Sequence, residues 1–129
     1  MIGSVSLVLD RQRRLLTYVA RGFLEEDEVS RLVESKDELL RSLGGDLNDH
    51  VTLADVSACQ IQSQTVAVRL TAMIGDRRSL PRRMAFVTGP GSLVRMQLRR
   101  MIQGAETAQM FIDRDAAEAW LFSPEPQGA

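Results

Sequence analysis

Hydrophobic residues at the start of the chain recur with the period of a β-strand. Val5, Leu7 and Leu9 stand at every second position, which is the pattern of a strand with one solvent-facing side. A second strand is predicted over residues 15–21, and the polar link of residues 10–14 has the length of a hairpin loop. The pattern therefore predicts an antiparallel strand pair at the edge of a sheet.

From Glu25 onward the period changes to that of an α-helix. Apolar side chains recur at intervals of three and four residues, and Gly44 and Gly45 end the pattern. Lys36 projects into the middle of the apolar stripe when residues are placed about 100° apart. Its side chain then either carries its ammonium to solvent along the apolar surface, forms a buried ion pair, or lines a pocket.

Three further strand–helix units follow. Each has a short apolar run, a turn, and a helix with Ser or Asp at its start. The uninterrupted apolar run at residues 84–88 predicts a strand that is buried on both faces, at the centre of the sheet. The three strands are predicted at residues 51–56, 84–88 and 108–112, and the helix caps are Ser63, Ser92 and Asp113.

These elements predict an α/β fold. We expect a mixed five-stranded sheet with an N-terminal antiparallel edge strand, then four β-α units with parallel strands, covered by four helices. One domain is expected over residues 1–122, and residues 123–129 are expected to form a flexible tail because they have no apolar period.

Composition narrows the class of protein. The chain has 129 residues, 44% of them hydrophobic, which is the size of one domain with one ordinary core. The longest uncharged stretch, residues 56–68, is too short and too polar to cross a bilayer, and no basic leader typical of a signal peptide is present. The single cysteine, Cys59, permits no internal disulfide. We therefore predict a cytoplasmic protein.

The charges are segregated along the chain although the net charge is only -1. Residues 25–49 carry nine acids against three bases (-6), and residues 69–100 carry eight arginines against one acid (+7). Such segregation is typical either of solvated helix faces or of a surface that docks a charged partner or a second copy of the chain. Nucleic acid is not favoured, because only 5% of the residues are aromatic and the other pole is acidic.

The residues do not predict catalysis. Ligands of α/β sheets bind at the carboxyl ends of the strands, whereas the single histidine, His50, is expected at the amino end of its strand. Residues able to bind a metal are scattered along the sequence. We therefore predict no enzyme, no metal and no cofactor.

The turn of residues 89–92 is a candidate for an anion site. Gly89, Gly91 and Ser92 place backbone amides at a helix start, where phosphates and carboxylates bind. The turn lacks the Gly-Lys-Ser/Thr ending of a P-loop and the third glycine of a dinucleotide-binding turn. A plain strand-to-helix turn and an anion- or nucleotide-binding protein both remain open.

The following helix offers a candidate partner surface. Arg95, Arg99 and Arg100 fall on one side of it, and Met96 lies among them, opposite the apolar stripe. A methionine framed by arginines suits contact with an apolar and acidic partner, although a single exposed apolar side chain is also ordinary.

Over residues 4–122 the chain resembles the STAS and SpoIIAA-like family, in particular its small bacterial STAS/SEC14-like branch. The resemblance rests on the order of elements and on four segments. These are Gly22-Phe-Leu-Glu-Glu-Asp between the first hairpin and the acidic helix, Leu53-Ala-Asp-Val-Ser57, Met84-Ala-Phe-Val-Thr-Gly89, and the closing Met110-Phe-Ile-Asp-Arg-Asp-Ala-Ala-Glu-Ala-Trp-Leu121.

The resemblance implies a non-enzymatic regulatory domain that binds protein partners, and we expect a homodimer. In the family's antagonist members a serine after the third strand is phosphorylated. Here Asp55-Val-Ser57 matches the end of that strand, but Ser63-Gln64-Thr65 lacks the aspartate and the glycine of the family motif. Ser63, Thr65 and Ser57 are the candidate acceptors.

The likeness to SEC14-type domains implies an alternative function, a carrier of a small apolar, lipid-type ligand. Its pocket is expected between helix and sheet, near Lys36 and Phe86.

Overall fold

The computed structural model describes residues 3–124, which form a five-stranded sheet and four helices. The predicted tail falls partly outside the described residues, since residues 125–129 are not among them. A short 3₁₀ helix, Arg77–Ser79, precedes the fourth strand. The strands are β1 (Ser4–Asp10), β2 (Leu15–Gly22), β3 (Val51–Cys59), β4 (Arg83–Val87) and β5 (Ala108–Phe111), and the helices are α1 (Glu26–Leu43), α2 (Gln64–Ile74), α3 (Leu93–Met101) and α4 (Arg114–Leu121).

The sheet order is β1-β2-β3-β4-β5. β1 pairs antiparallel with β2, and all other neighbours are parallel, so the predicted mixed α/β architecture is confirmed. The prediction that residues 84–88 form the centre of the sheet is wrong, because β3 has two strands on either side. β4 is nevertheless wholly buried, since β5 covers its outer edge and helices cover both of its faces.

Local side-chain chemistry explains where the helices begin. Glu25 and Glu28 form a reciprocal capping box at the start of α1. Ser63, Ser92 and Asp113 accept hydrogen bonds from the first-turn amides of α2, α3 and α4, so all three predicted caps are confirmed. α1 ends at two consecutive glycines with positive φ, as its sequence predicts.

The helices are distributed unequally over the two faces of the sheet. α1, α2 and α3 cover one face, and α4 covers β3, β4 and β5 on the other. Adjacent strand residues therefore belong to different cores; Leu16 faces the three-helix side and Leu15 faces α4. None of the helices within residues 3–124 is both long enough and apolar enough to span a membrane.

Arg83 links the amino end of β4 to the carboxyl end of α4. Its buried guanidinium lies 5.1 Å from the centroid of the Trp120 ring, and Nη1 donates to the Trp120 carbonyl and to Ser123 Oγ. The Trp120 carbonyl at the end of α4 thus accepts from Arg83 in addition to the Ser123 amide at 3.2 Å and the Ser123 hydroxyl at 2.8 Å.

Lys36 forms a buried polar contact and does not extend to solvent. Its Nζ lies 3.1 Å from Ser79 Oγ and 3.5 Å from Asp37 Oδ1, with 5% of the residue exposed. The 3₁₀ helix before β4 covers this part of the α1 stripe and supplies the hydroxyl. Of the three roles that the sequence left open, this geometry corresponds to the buried ion pair.

His50 lies directly before β3 with 2% of its surface exposed, and its Nδ1 has no hydrogen-bond partner within residues 3–124. Burial lowers the pKa of the imidazole to about 4, and the positive charges of Lys36, Arg14 and Arg82 act in the same direction. A backbone interaction with Leu47 partly opposes this shift.

We predict that stability decreases as pH falls from about 6.5 to about 4. The unfolded chain takes up a proton on His50 near pH 6.5, whereas the folded chain does so only near pH 4. The loss should reach about 3 kcal/mol. Urea unfolding at half-unit pH intervals measures the slope. His50→Gln should flatten the curve between pH 6.5 and 5, above the range in which carboxylates titrate, and an unchanged slope would contradict the assignment.

Replacing Arg83 should loosen α4. Arg83→Met keeps an aliphatic stem but removes the ring contact and the hydrogen bonds, so we expect a loss of about 2 kcal/mol in the free energy of unfolding. Arg82→Met is the matched control, because Arg82 is exposed and forms a 3.4 Å surface ion pair with Asp49. Equal urea midpoints for the two variants would rule out the proposed role of Arg83.

Candidate functional site

The outer sides of α2 and α3 form a surface that combines exposed apolar residues with positive charge. Val68, Leu93 and Met96 are 58%, 65% and 55% exposed, and Arg99 and Arg100 lie beside them on α3. A groove of about 320 Å³ runs between the two helices, with Val68 and Arg100 in its walls. We call these five residues and the groove the α2–α3 surface.

The charge of the α2–α3 surface has one sign. Neither α2 nor α3 contains an acidic residue. Arg99 and Arg100 form no ion pair with any residue of the described chain. Their charges therefore remain available to a partner.

Arg95 differs from the other predicted surface arginines. It is half-buried, and its Nη1 donates to Thr88 Oγ1 at 2.9 Å at the carboxyl end of β4. The guanidinium thus turns towards the sheet. The candidate partner surface consequently divides into Met96, Arg99 and Arg100, which face solvent, and Arg95, which contacts the strand end.

The candidate anion turn lies next to Arg95. Ser92 is already used as the cap of α3, accepting from the Arg95 amide at 3.0 Å, and Gly91 has a φ of +61°. A side chain there would be strained, which explains the glycine. Both Gly89 and Gly91 have open space on the side where a Cβ would stand. The turn is therefore accessible, and its known contacts are those of an ordinary helix start.

Ser57, Ser63 and Thr65 lie in three different environments. The hydroxyl of Ser57 donates to Asp55 Oδ1 at 2.6 Å, and the other oxygen of Asp55 lies 3.9 Å from Arg114. Ser63 Oγ accepts from the Val66 amide at 3.2 Å as the cap of α2. Thr65 is exposed in the first turn of that helix.

Two glutamines that the sequence reasoning missed hold this region together. The Gln62 side chain accepts from the Leu24 amide at 2.7 Å and donates to the carbonyls of Gly22 and Gln60. Gln97 on α3 accepts from the Gln62 amide at 2.8 Å and donates to the Gln62 carbonyl at 2.9 Å. The end of β2, the start of α2 and the middle of α3 are thus joined by hydrogen bonds.

A cavity of about 80 Å³ lies between the sheet and the three helices on its helix-rich face. Its lining is almost entirely apolar; the walls include Phe86, Met73 and Met101. Of the two predicted pocket residues, Phe86 lines this cavity and Lys36 does not, because the lysine ammonium is held by Ser79. Cys59 also lines the cavity, and burial raises the pKa of its thiol to about 11, so the thiol is neutral near pH 7.

Ser57 and His50, the hydroxyl and the imidazole considered for catalysis, lie towards opposite ends of β3. The Ser57 hydroxyl bonds to Asp55, near the carboxyl end of β3. His50 is buried at the amino end of that strand. Within residues 3–124 no three His, Cys, Asp or Glu side chains converge to hold a metal ion.

Periodicity could not reveal the cavity or the glutamine contacts. Gln62 and Gln97 stand 35 residues apart, and their pairing depends on how α3 is placed against the loop before α2. The methionines of α2, β4 and α3 provided a weak signal, because several unbranched side chains in one core are typical of irregular packing.

No family model matches the chain, and no curated protein matches it. Similarity is found among solved structures. An uncharacterized protein of the DUF3478 family with a SpoIIAA-like fold, from Shewanella loihica, superposes with a TM-score of 0.69 at 19% identity over 92% of this chain and 94% of that one. An anti-sigma factor antagonist from Mycobacterium paratuberculosis gives a TM-score of 0.61 at 11% identity, over 93% and 96% of the respective chains.

Both superpositions span the sheet and its helices, and their identities are low enough that they establish the architecture alone. The chain therefore has a SpoIIAA-like α/β fold.

Proposed function

We propose that this protein is a STAS-like regulatory domain that binds a protein partner through the α2–α3 surface and catalyses no reaction. The observation that carries the proposal is the combination of exposed Leu93 and Met96 with Arg99 and Arg100, which form no ion pair within residues 3–124. Buried at an interface, a methionine and a leucine supply apolar area, and arginines supply directed hydrogen bonds to carboxylates.

The charge and the apolar residues of the α2–α3 surface indicate what kind of partner it binds. Because α2 and α3 carry no acid, a partner with its own basic residues would be repelled, and one with carboxylates around an apolar centre would be attracted. The similar anti-sigma factor antagonist supports a protein partner by its described role. A second copy of the chain is the other occupant, because the cap and first turn of α1, residues 25–28, are four consecutive acids.

Regulation by phosphate is a further part of the proposal. A phosphate on Ser63 or Thr65 would stand at the start of α2, where backbone amides favour added negative charge. On Ser57 it would stand beside the Asp55 carboxylate and be opposed by it. Ser63 and Thr65 are therefore the favoured acceptors.

Anion binding by the Gly89–Ser92 turn, homodimer formation and a cytoplasmic location stay predictions.

The experiment changes the surface without touching the core. Met96→Asp combined with Arg99→Glu should weaken capture of partners by about tenfold or more, because it replaces an apolar centre and reverses a charge. The matched control is Val8→Asp with Arg41→Glu, which makes the same two chemical changes at exposed positions on β1 and at the end of α1. Quantitative affinity capture from cells expressing each form, at low and high salt, measures the effect.

Light scattering of the purified proteins distinguishes the two occupants. A dimeric wild type that becomes monomeric only in the α2–α3 double variant would identify a second copy as the partner. A monomeric wild type with salt-sensitive capture of an acidic protein would identify a different chain. If partners and mass are the same for the double variant as for the wild type and the control, the surface assignment is wrong.

A further inference from the structure

The helix-rich face of the sheet is a layer of three helices with α2 in the middle. α2 contacts α1 on one side and α3 on the other. Each of the three helices connects two parallel strands, so all three run in the same direction and begin at the same edge of the sheet. A partner that docks on this face therefore meets α1 as well as the α2–α3 surface.

The outer side of α1 is acidic at its middle. Glu34 and Glu38 are exposed there and form no ion pair within residues 3–124. They stand four residues apart on one side of the helix, where two like charges destabilise it. Nearer the start of α1, Asp27 lies 3.5 Å from Arg31, so that turn is neutral. Glu34 and Glu38 thus form a negative site that the described part of the chain does not neutralise.

The outer side of α2 is uncharged and bears small side chains. Thr65, Val68 and Ala72 are exposed along it. The single charged residue of α2, Arg69, turns towards α1, where its Nη2 donates to Ser30 Oγ at 2.6 Å. With the arginines of α3, the layer therefore changes from negative through uncharged to positive, and the small side chains of α2 allow a facing helix to approach closely.

This order of charges favours one way of pairing two copies of the chain. If a two-fold axis lies along α2, between two layers that face each other, α1 of each copy lies over α3 of the other, and both contacts join opposite charges. An axis across the helices would instead place α1 on α1 and α3 on α3, so like charges would meet in both contacts.

The positions of the charges along the helices agree with an axis along α2. Rotation about such an axis leaves the height of each residue along the helices unchanged. Counted from the first residue of its helix at 1.5 Å per residue, Glu34 stands about 12 Å along α1, and Arg100 stands about 10.5 Å along α3. Arg41, an exposed cation of α1, stands about 22 Å along, beyond the end of the nine-residue α3. The acidic and the basic sites therefore meet at the same height.

From the opposite charges of α1 and α3 and the uncharged α2 between them, we propose that a second copy of the chain occupies this face, related by a two-fold axis along α2. Arg99 and Arg100 of each copy bind Glu34 and Glu38 of the other, and Val68 lies at the axis. The inference rests on the proposed docking function and names its occupant.

The size of the helix layer sets the strength of this pairing. The three helices have 18, 11 and 9 residues. At a spacing of about 10 Å they cover about 570 Å² per copy, which is at the lower limit for a specific interface. We therefore expect a dissociation constant on the order of micromolar.

Sedimentation equilibrium of the purified protein tests the pairing. The wild type should form a dimer that dissociates on dilution and in high salt. Glu34→Lys with Glu38→Lys should be monomeric, and so should Arg99→Glu with Arg100→Glu, because each double variant places like charges in both contacts. An equimolar mixture of the two variants should form a heterodimer, since both of its contacts again join opposite charges.

The matched control is Glu106→Lys with Asp115→Lys. It makes the same reversal of two negative charges at exposed positions outside the three helices, so it should dimerise like the wild type. Far-UV circular dichroism of each variant verifies that it is folded before its mass is compared.

The two-fold pairing is overturned by a monomeric wild type, by dimers that persist in either double variant, by monomers in the equimolar mixture, or by assemblies larger than a dimer. The docking function can survive that result. A monomeric wild type whose capture of an acidic protein is lost in the Met96→Asp, Arg99→Glu variant would contradict the pairing and leave the docking function intact.

Discussion

The side chain of Gln62 makes the contacts on which the candidate site depends. Its amide replaces strand pairing at the point where β2 ends, bonding both the Leu24 amide and the Gly22 carbonyl. Buried backbone groups at such an end must find partners, and a primary amide offers a donor and an acceptor at once. The same residue exchanges two hydrogen bonds with Gln97, so the starting position of α2 and the placement of α3 are fixed together.

The α2–α3 surface and the cavity lie on opposite sides of the same pair of helices. α2 and α3 have inner sides that contact the sheet incompletely, leaving the space between Phe86 and Met101, and outer sides that carry Val68 and Met96. Each helix therefore has apolar residues on two sides. A helix that only packed against a core would need them on one.

Much of the fold follows from the sequence because local signals agree with one another. Alternation predicts β1, the apolar spacing and the paired glycines predict α1, and the Ser and Asp caps mark the remaining helices. The features that could not be predicted are contacts between residues that are far apart in the sequence. The central position of β3 depends on where the four-residue β5 attaches, and the partner of Lys36 stands 43 residues away in a 3₁₀ turn. The candidate surface could be predicted only in part. Helical spacing identified Met96 and Arg99 as exposed, but the contact of Arg95 with Thr88 depends on how α3 packs against the end of β4.

The distribution of ion pairs determines which charged side chains are available to bind a partner. Several acidic side chains of residues 25–49 form contacts within the molecule. Glu25 and Glu28 cap α1, Glu26 lies 3.9 Å from Arg69 of α2, and Asp49 lies within 3.5 Å of both Arg14 and Arg82. Each of these carboxylates stabilises a helix end or joins two elements, so part of the negative charge of residues 25–49 is compensated within the molecule. Arg99 and Arg100 have no ion-pair partner among the described residues, and the same holds for Glu34 and Glu38 on the exposed side of α1, so α3 and α1 present uncompensated charges of opposite sign.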